Sequence, residues 1–103
     1  MQKILDETEK LAYTYLKAFG FEENEIAPVV AKGLVDLETI LNKLKTVFSL
    51  PHEAKKEEVD NVLHALKGLL FHLGNHDLAE KIETLRSYDD MEKLYEVLND
   101  LLF

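Results

Sequence analysis

The chain lacks cysteine and tryptophan, and its 103 residues include four glycines and two prolines. Without cysteine it can form no disulfide framework, no thiolate metal site and no cysteine nucleophile. The few glycines form no glycine-rich phosphate loop and no Gly-x-Ser-x-Gly elbow, so an ordinary kinase or hydrolase is disfavoured. No apolar run approaches the roughly 20 residues that cross a bilayer, and the N-terminus lacks a signal-peptide core. We therefore expect a cytoplasmic protein with no membrane partner.

Basic residues are outnumbered: 12 lysines and arginines stand against 20 aspartates and glutamates, a net charge of −8. This acidity argues against a surface that binds nucleic-acid phosphates. Hydrophobic residues make up 47% and charged residues 31% of the chain, a mixture that can bury a core and still dissolve. The length is typical of one domain, so we expect a single domain over residues 1–103. The function classes that remain compatible with this composition are carrier, binding and structural proteins.

Helix-forming residues dominate, and the prolines and glycines fall where helical periodicity is interrupted or ends. The pattern predicts five helices, at about 2–19, 22–48, 51–73, 76–86 and 88–102. Short connections favour antiparallel packing of consecutive helices. We therefore predict an all-α fold, an antiparallel four-helix bundle with an additional N-terminal helix.

The last three helices carry recognisable start signals. The expected N-terminal caps are Ser49 or Leu50, Asn75 and Ser87. Acidic residues that suit the positive end of a helix follow two of these caps, namely Glu53 in the third helix and Asp89 and Asp90 in the fifth. Pro51 is expected near the first turn of the third helix.

Apolar stripes on the first two helices indicate which faces are buried. The expected stripe of the first helix is Ile4, Leu5, Thr8, Leu11, Ala12, Tyr15, Leu16 and Phe19. The second helix carries Val30, Leu34, Leu37, Leu41 and Leu44, which could serve either the core or a dimer interface. A chain of this size needs such a stripe for its own core, so we favour the core and a monomer.

The third helix carries residues on its polar face that its own pattern does not explain. At 100° per residue, its apolar residues centre about 200° away from His64, so His64 points to solvent. The residues on the same side as His64 are Glu57, Asp60, Asn61, Lys67, Gly68 and Phe71. Gly68 lies one turn from His64 and leaves the imidazole uncovered, although glycine costs a helix interior about 1 kcal/mol relative to alanine.

These neighbours suggest chemistry at His64. An exposed imidazole is largely neutral at pH 7, so one ring nitrogen can act as a nucleophile. Lys67, three residues on, can place an ammonium group beside whatever the imidazole carries. Phe71 exposes an aromatic ring on a face that should be polar, as a small docking surface would.

The motif that results is His64-Ala65-Leu66-Lys67-Gly68, followed by Gly74 and by Leu78, Ile82 and Leu85 of the next helix. Together with the five-helix layout, it resembles the histidine-containing phosphotransfer family, the helical phosphocarriers of two-component phosphorelays. The resemblance covers about residues 12–103. One departure is that Leu69 and Leu70 follow the glycine, where the family usually has small residues.

The resemblance implies a phosphocarrier rather than an autonomous enzyme. His64 would accept a phosphoryl group from a receiver-domain aspartate, or from a sensor or hybrid histidine kinase, and pass it to a response-regulator aspartate. The receiver would supply Mg²⁺, and this domain would bind no cofactor. Lys67 would offset phosphoryl charge and Gly68 would permit close approach. The expected docking residues are Glu57, Asp60, Asn61, Phe71 and, as a weaker candidate, Arg86.

Several points stay open at the level of sequence. Arg86 reaches a height similar to that of His64 on the neighbouring helix, but its direction depends on the rotation of that helix, and a solvent-exposed arginine near a helix C-terminus is equally compatible. His72 and His76 are spaced like a metal pair, yet Gly74 and Asn75 interrupt the helix between them, so we assign no metal. His52 is expected at the surface of a first turn.

Two other function classes compete with the carrier. One is a non-catalytic interaction module, with the same bundle and an unused His64, that binds a partner through the Phe71 face. The other is an enzyme, which is the weakest of the three because acid–base chemistry needs a cleft that the solvent face of a bundle does not obviously provide.

Overall fold

The computed structural model describes residues 1–49 and 51–103, and their side chains apart from those of residues 52–54. The helices are α1 (Gln2–Ala18), α2 (Glu23–Val47), α3 (His52–His72), α4 (His76–Leu85) and α5 (Met91–Leu102). The described part of the chain contains no strand. The prediction of an all-helical protein with five helices is therefore confirmed.

The helix ends differ from prediction by small amounts that have local causes. Phe19, Phe48 and Arg86 are the C-terminal caps of α1, α2 and α4 rather than their last helical residues. Gly20 and Gly74 follow α1 and α3 with φ angles of 91° and 81°, which L side chains rarely adopt. Glycine therefore ends both helices where the sequence indicated.

Two of the predicted helix starts are wrong. At α3 the N-cap is Pro51, which lies next to the first turn as predicted, so Ser49 is not the cap. Ser87 does not cap α5, because its hydroxyl donates to the carbonyl oxygen of Thr84 at 2.9 Å. Asp90 takes that place, and its carboxylate accepts the backbone N–H groups of Glu92 and Lys93 at 3.0 and 3.2 Å. The predictions for Leu50 as a cap and for the side chains of residues 52 and 53 lie outside the described residues.

The buried side chains form two clusters. The larger cluster draws on all five helices, with Ile4, Leu41, Leu66, Ile82 and Leu98 among its members. The smaller one joins α1, α2 and the end of α3 through Ala12, Ile26, Val30 and Leu73. Helices adjacent in sequence pack on one another from α1 to α4. The molecule is elongated, with principal extents of 47 × 21 × 20 Å.

Most of the predicted core is buried. On α2, Val30, Leu37, Leu41 and Leu44 are buried and Leu34 is partly buried, so this stripe serves the core. On α1 the predicted stripe is wider than the buried face: Leu11 is 37% exposed and Phe19 is 65% exposed. The buried residues of α1 are Ile4, Thr8 and Ala12, each one turn from the next, so this helix buries a narrow face, and Phe19 lies beyond its last residue as the C-cap.

A buried polar contact fixes the turn between α3 and α4. The Asn75 side-chain amide donates to the hydroxyl oxygen of Thr8 at 2.9 Å, and both residues are buried. The same amide group, through its oxygen, accepts the backbone N–H of Leu78 at 3.4 Å, so Asn75 caps α4 as predicted. This turn sets the position of α4 beside α3, and these two helices carry the residues described next.

Candidate functional site

His64 lies in the middle of α3 on the face away from the core, as the helical wheel predicts. Its side chain is exposed, whereas Leu63 and Leu66 beside it in sequence are buried. On the core side, Leu70 is fully buried and Leu69 is partly buried. The two leucines that depart from the family pattern therefore pack inward and leave the His64 face unobstructed.

Arg86, at the C-terminal cap of α4, binds Asp60 of α3 through two parallel contacts. Arg86 Nε donates to Asp60 Oδ1 at 2.9 Å, and Arg86 Nη2 donates to Asp60 Oδ2 at 3.2 Å. The hydrogen bonds from Arg86 lower the pKa of Asp60, and those to Asp60 raise the pKa of Arg86 above its usual range. The carboxylate and the guanidinium therefore both stay charged at neutral pH.

The guanidinium of Arg86 also reaches the imidazole of His64. Arg86 Nη1 lies 3.1 Å from His64 Nδ1. The sequence left the direction of Arg86 open because the rotation of α4 about its axis could not be derived from periodicity. In the structure α4 turns this side chain toward α3, so Arg86 contacts the candidate nucleophile directly.

Lys67 forms an ion pair with Glu83, a residue that the sequence pattern did not predict as part of the site. Its ammonium group lies 3.0 Å from Glu83 Oε2, and the same oxygen accepts a hydrogen bond from Arg86 Nη1 at 3.1 Å. Lys67, followed by Arg86, lowers the pKa of Glu83. The available signal was the spacing of Glu83 three residues before Arg86, which places both on one face of α4.

Gly68 opens space next to His64. A Cβ atom built at Gly68 would meet no atom within 4 Å, apart from its two chain neighbours and the nearby backbone of its own helix. The position predicted to leave the imidazole uncovered thus has open space beside it. Glu57 and Asn61, the other predicted docking residues of α3, are both exposed.

Phe71 is 55% exposed and belongs to a row of rings. Its ring lies 4.5 Å from that of His76, His76 lies 5.0 Å from Tyr15, and Tyr15 lies 5.0 Å from Phe19, measured between centroids. We call these four residues the aromatic row. The sequence pattern places Tyr15 and Phe19 in the core stripe of α1 and suggests His76 only as half of a metal pair, so it did not reveal this arrangement.

The site holds balanced charge although the chain is strongly acidic. Two cations, Lys67 and Arg86, meet two carboxylates, Asp60 and Glu83, around His64. Among the described residues, no group of three or more histidine, aspartate and glutamate side chains could hold a metal ion. Within the same residues, none of the helices is both long and apolar enough to span a membrane.

The arrangement offers an exposed imidazole with cationic neighbours, open space one turn away, and a nearby row of partly exposed rings. No protein-family model, curated protein or solved structure matches the chain.

Proposed function

We propose that this protein is a histidine phosphocarrier of the phosphotransfer-domain kind, with His64 as the phosphorylated residue. On this proposal α2 to α5 form the antiparallel four-helix bundle and α1 is the additional N-terminal helix. The shared core of all five helices and the short turns between them support that arrangement. The protein acts as a cytoplasmic monomer.

The single observation that carries the proposal is the surroundings of His64. Its imidazole is exposed at mid-helix, Gly68 leaves open space beside it, and Lys67 lies one turn along the same face. A surface residue with no role does not need a helix-weakening glycine beside it. A partner active site that must close over the imidazole does need that space.

The proposed reaction is a phosphoryl exchange between His64 and an aspartate. Nε2 of His64 attacks the phosphorus of an aspartyl phosphate on a receiver domain, the N–P bond forms, the P–O bond to the aspartate breaks so that the carboxylate leaves, and the imidazole releases its ring proton to water. The same step in reverse delivers the group to the aspartate of a second receiver. The receiver holds Mg²⁺ and provides most of the stabilisation of the transition state, so this domain is not an enzyme on its own.

Lys67 has a defined part in this reaction. Its ammonium group is paired with Glu83 in the free protein and its side chain is 31% exposed. Movement of the ammonium group toward an incoming phosphoryl group would exchange one anionic partner for another. Lys67 therefore offsets phosphoryl charge without requiring a new cation at the site.

The test is transfer from a phosphorylated receiver domain to this protein. We expect wild type to acquire an acid-labile, base-stable label and His64→Gln to acquire none. His72→Gln is the matched control, because His72 is also exposed and ends the same helix; it should be labelled like wild type. Equal labelling of His64→Gln and wild type, or no transfer to wild type from any receiver of the source organism, would exclude the carrier function.

The aromatic row favours a second candidate function, an interaction module that binds a partner through Phe71 and does not use His64. Its rings offer apolar contact at the surface. Under this alternative His64→Gln binds the partner as wild type does and no phosphoryl label appears. Under the carrier proposal the same variant can still dock on a receiver, but it blocks transfer.

A further inference from the structure

The contact between Arg86 and His64 determines which ring nitrogen can carry a proton. A guanidinium group has five N–H donors and no acceptor, so the nitrogen that faces it must accept. The nitrogen that faces Arg86 Nη1, at 3.1 Å, is Nδ1 of His64. In the neutral imidazole the hydrogen then lies on Nε2, the nitrogen at the tip of the side chain.

Arg86 is itself held in one orientation. Its Nε and Nη2 bind the two carboxylate oxygens of Asp60, and its Nη1 also binds Glu83. The Arg86 side chain is 24% exposed, less than either carboxylate partner. A guanidinium fixed on two sides by carboxylates presents the remaining hydrogen of Nη1 to His64 at little further entropic cost.

We propose that Arg86 is a positioning residue that keeps Nδ1 of His64 a hydrogen-bond acceptor and thereby prolongs the life of the phosphohistidine. This inference rests on the proposed phosphocarrier function. It assigns to Arg86 a role inside the free domain, in place of the docking role that the sequence suggested.

Phosphorylation of His64 on Nε2 first requires the other tautomer of its ring. Before attack, the Nε2 proton passes to water and Nδ1 takes a proton from water, which transiently displaces Arg86. Nε2 then attacks phosphorus, the aspartate carboxylate leaves, and the Nδ1 proton is released to water. The phosphorylated ring carries the phosphoryl group on Nε2 and a lone pair on Nδ1, so the Arg86 hydrogen bond forms again.

The same contact slows loss of the phosphoryl group. A phosphoimidazole that is protonated at Nδ1 loses its phosphoryl group more easily. In that form the ring departs as a neutral imidazole, which is a better leaving group than an imidazolate. A guanidinium N–H directed at Nδ1 competes with that proton. Arg86 therefore makes both the attack of His64 and the hydrolysis of its phosphorylated form slower, which is useful in a carrier that must hold the group between two partners.

The other charged groups near the imidazole are largely paired with one another. On α3 these are Asp60, which binds Arg86, and Lys67, which binds Glu83; on α4 they are Glu83 and Arg86. Glu57, also on α3, is exposed two turns before His64. Removal of Arg86 leaves Asp60 without its cation, so a control for that change is required.

The first experiment measures the tautomer of His64 in the intact, unphosphorylated protein. Long-range ¹H–¹⁵N spectra, assigned by comparison with His64→Gln, should show hydrogen on Nε2 in wild type. Arg86→Gln should shift the population toward hydrogen on Nδ1, because the glutamine oxygen can accept that hydrogen. Arg86→Lys, which retains a donor and no acceptor, should keep the wild-type tautomer. Hydrogen predominantly on Nδ1 in wild type would overturn the inference.

The second experiment measures the lifetime of phosphohistidine without any receiver. Phosphoramidate, a small-molecule phosphoryl donor, is used to phosphorylate the protein, and ³¹P spectra follow the loss of the His64 signal across the pH range. We expect Arg86→Gln to be phosphorylated faster and to hydrolyse about tenfold faster near neutral pH, equivalent to about 1.4 kcal/mol. The difference should shrink at high pH, because proton-assisted loss of the phosphoryl group slows in every variant.

Two controls separate positioning from a structural effect. Arg86→Lys should recover part of the lifetime, and Asp60→Asn, which removes a partner of Arg86 but leaves the guanidinium present, should shorten the lifetime less than Arg86→Gln. An Arg86→Gln lifetime equal to wild type would overturn the inference while leaving receiver transfer intact. Failure of every receiver to label wild type would instead reject the proposed function, and the tautomer and hydrolysis results would still stand.

Discussion

At the scale of single residues, Asp60 is the carboxylate that orients Arg86, the residue in contact with His64. It receives two hydrogen bonds from Arg86, and Arg86 in turn faces His64. The chain carries a net charge of −8, yet beside His64 the two carboxylates Asp60 and Glu83 are paired with the two cations Arg86 and Lys67. Local pairing therefore governs the electrostatics around His64 more than the overall acidity does.

Replacement of Asp60 by asparagine should change the acid sensitivity of the protein. Arg86 lowers the pKa of Asp60 in the folded state, so the pair stabilises the fold above the ordinary aspartate pKa of about 4 and this contribution is lost as the pH falls through the lowered value. The Tm of Asp60→Asn should therefore lie below that of wild type near neutral pH, and the difference should shrink below about pH 4.

Asp6→Asn is the control for this pH dependence, since Asp6 is exposed and accepts a hydrogen bond from the neutral side chain of Gln2. Its Tm should follow wild type across the same range. A Tm difference between Asp60→Asn and wild type that stays constant from neutral pH to about pH 2 would contradict the role given to the Arg86 pair.

Thr8→Val should destabilise the protein by about 1–3 kcal/mol, because the buried Asn75 amide would lose its acceptor. Thr14→Val is the matched control on the same helix: Thr14 is exposed and its hydroxyl donates to the carbonyl oxygen of Lys10, so the change should stay within about 0.5 kcal/mol. Urea denaturation measures both. Equal losses in the two variants would show that the Thr8–Asn75 contact does not tie α1 to the turn.

Sequence could predict the exposure of His64 but not its partners. The exposure follows from the helical period of α3 alone, since the apolar residues define the opposite face. The contact with Arg86 depends on the rotation of α4 about its axis, which the Asn75 turn and core packing set in three dimensions. Glu83 was missed for the same reason.

At the scale of helices, the glycines inside α2 and α3 are in different surroundings. A Cβ built at Gly33 of α2 would lie 2.6 Å from Leu73 Cδ2, and Leu73 is buried. Gly33 thus allows α2 to approach the end of α3. Gly68 has open space instead, and no packing explains its presence in α3.

Alanine at these two positions should have opposite effects on the free energy of unfolding. Gly68→Ala should gain up to about 1 kcal/mol from helix propensity. Gly33→Ala makes the same gain but must displace a buried leucine, and overpacking of this kind costs about 1–3 kcal/mol, so we expect a net loss. Chemical denaturation of both variants is the measurement, and a gain of similar size in each would contradict this packing.

A larger residue at Gly68 should separate stability from transfer. Gly68→Gln should keep or improve the helical circular-dichroism signal, because glutamine is a good helix former, yet reduce phosphoryl transfer because its side chain occupies the space beside His64. Gly68→Ala is the control with a small side chain, and its rate of phosphoryl transfer should be closer to that of wild type than the rate of Gly68→Gln is. Wild-type transfer by Gly68→Gln would remove the argument that this glycine gives access.

The helix boundaries show where local sequence signals suffice and where they compete. Gly20 and Gly74 ended their helices as expected, because a positive φ angle favours glycine. Ser87 and Asp90 are both good capping residues for α5, and the sequence pattern predicted Ser87, which is wrong. In the structure Ser87 bonds back to the end of α4, and Asp90 is left to cap α5.

At the scale of the whole molecule, the all-helical class and the five helices could be predicted, because each helix has its own periodicity and breaks. The arrangement of the helices around two clusters could not, since it depends on which faces meet. Leu11 and Phe19 illustrate this: both fit the α1 stripe, yet α1 leaves them exposed. Phe19 instead packs its ring against that of Tyr15, as part of the aromatic row.

An elongated helical molecule with an exposed histidine suits a reaction in which the partner brings the remaining catalytic groups. Nothing in the carrier proposal requires a cleft in this chain, because the receiver holds the metal ion and the aspartate. His64 and Phe71 are both exposed and lie two turns apart on the same face of α3, so one partner surface can contact both.

The most direct measurement is a complete relay. Protein labelled by one phosphorylated receiver is purified and mixed with a second, unphosphorylated receiver. We expect ³¹P spectra to show phosphohistidine at His64 before mixing, and the label to move to the receiver aspartate afterwards, with His72→Gln behaving like wild type. A label on another residue, or a phosphohistidine that no receiver can discharge faster than it hydrolyses, would contradict a carrier function for His64.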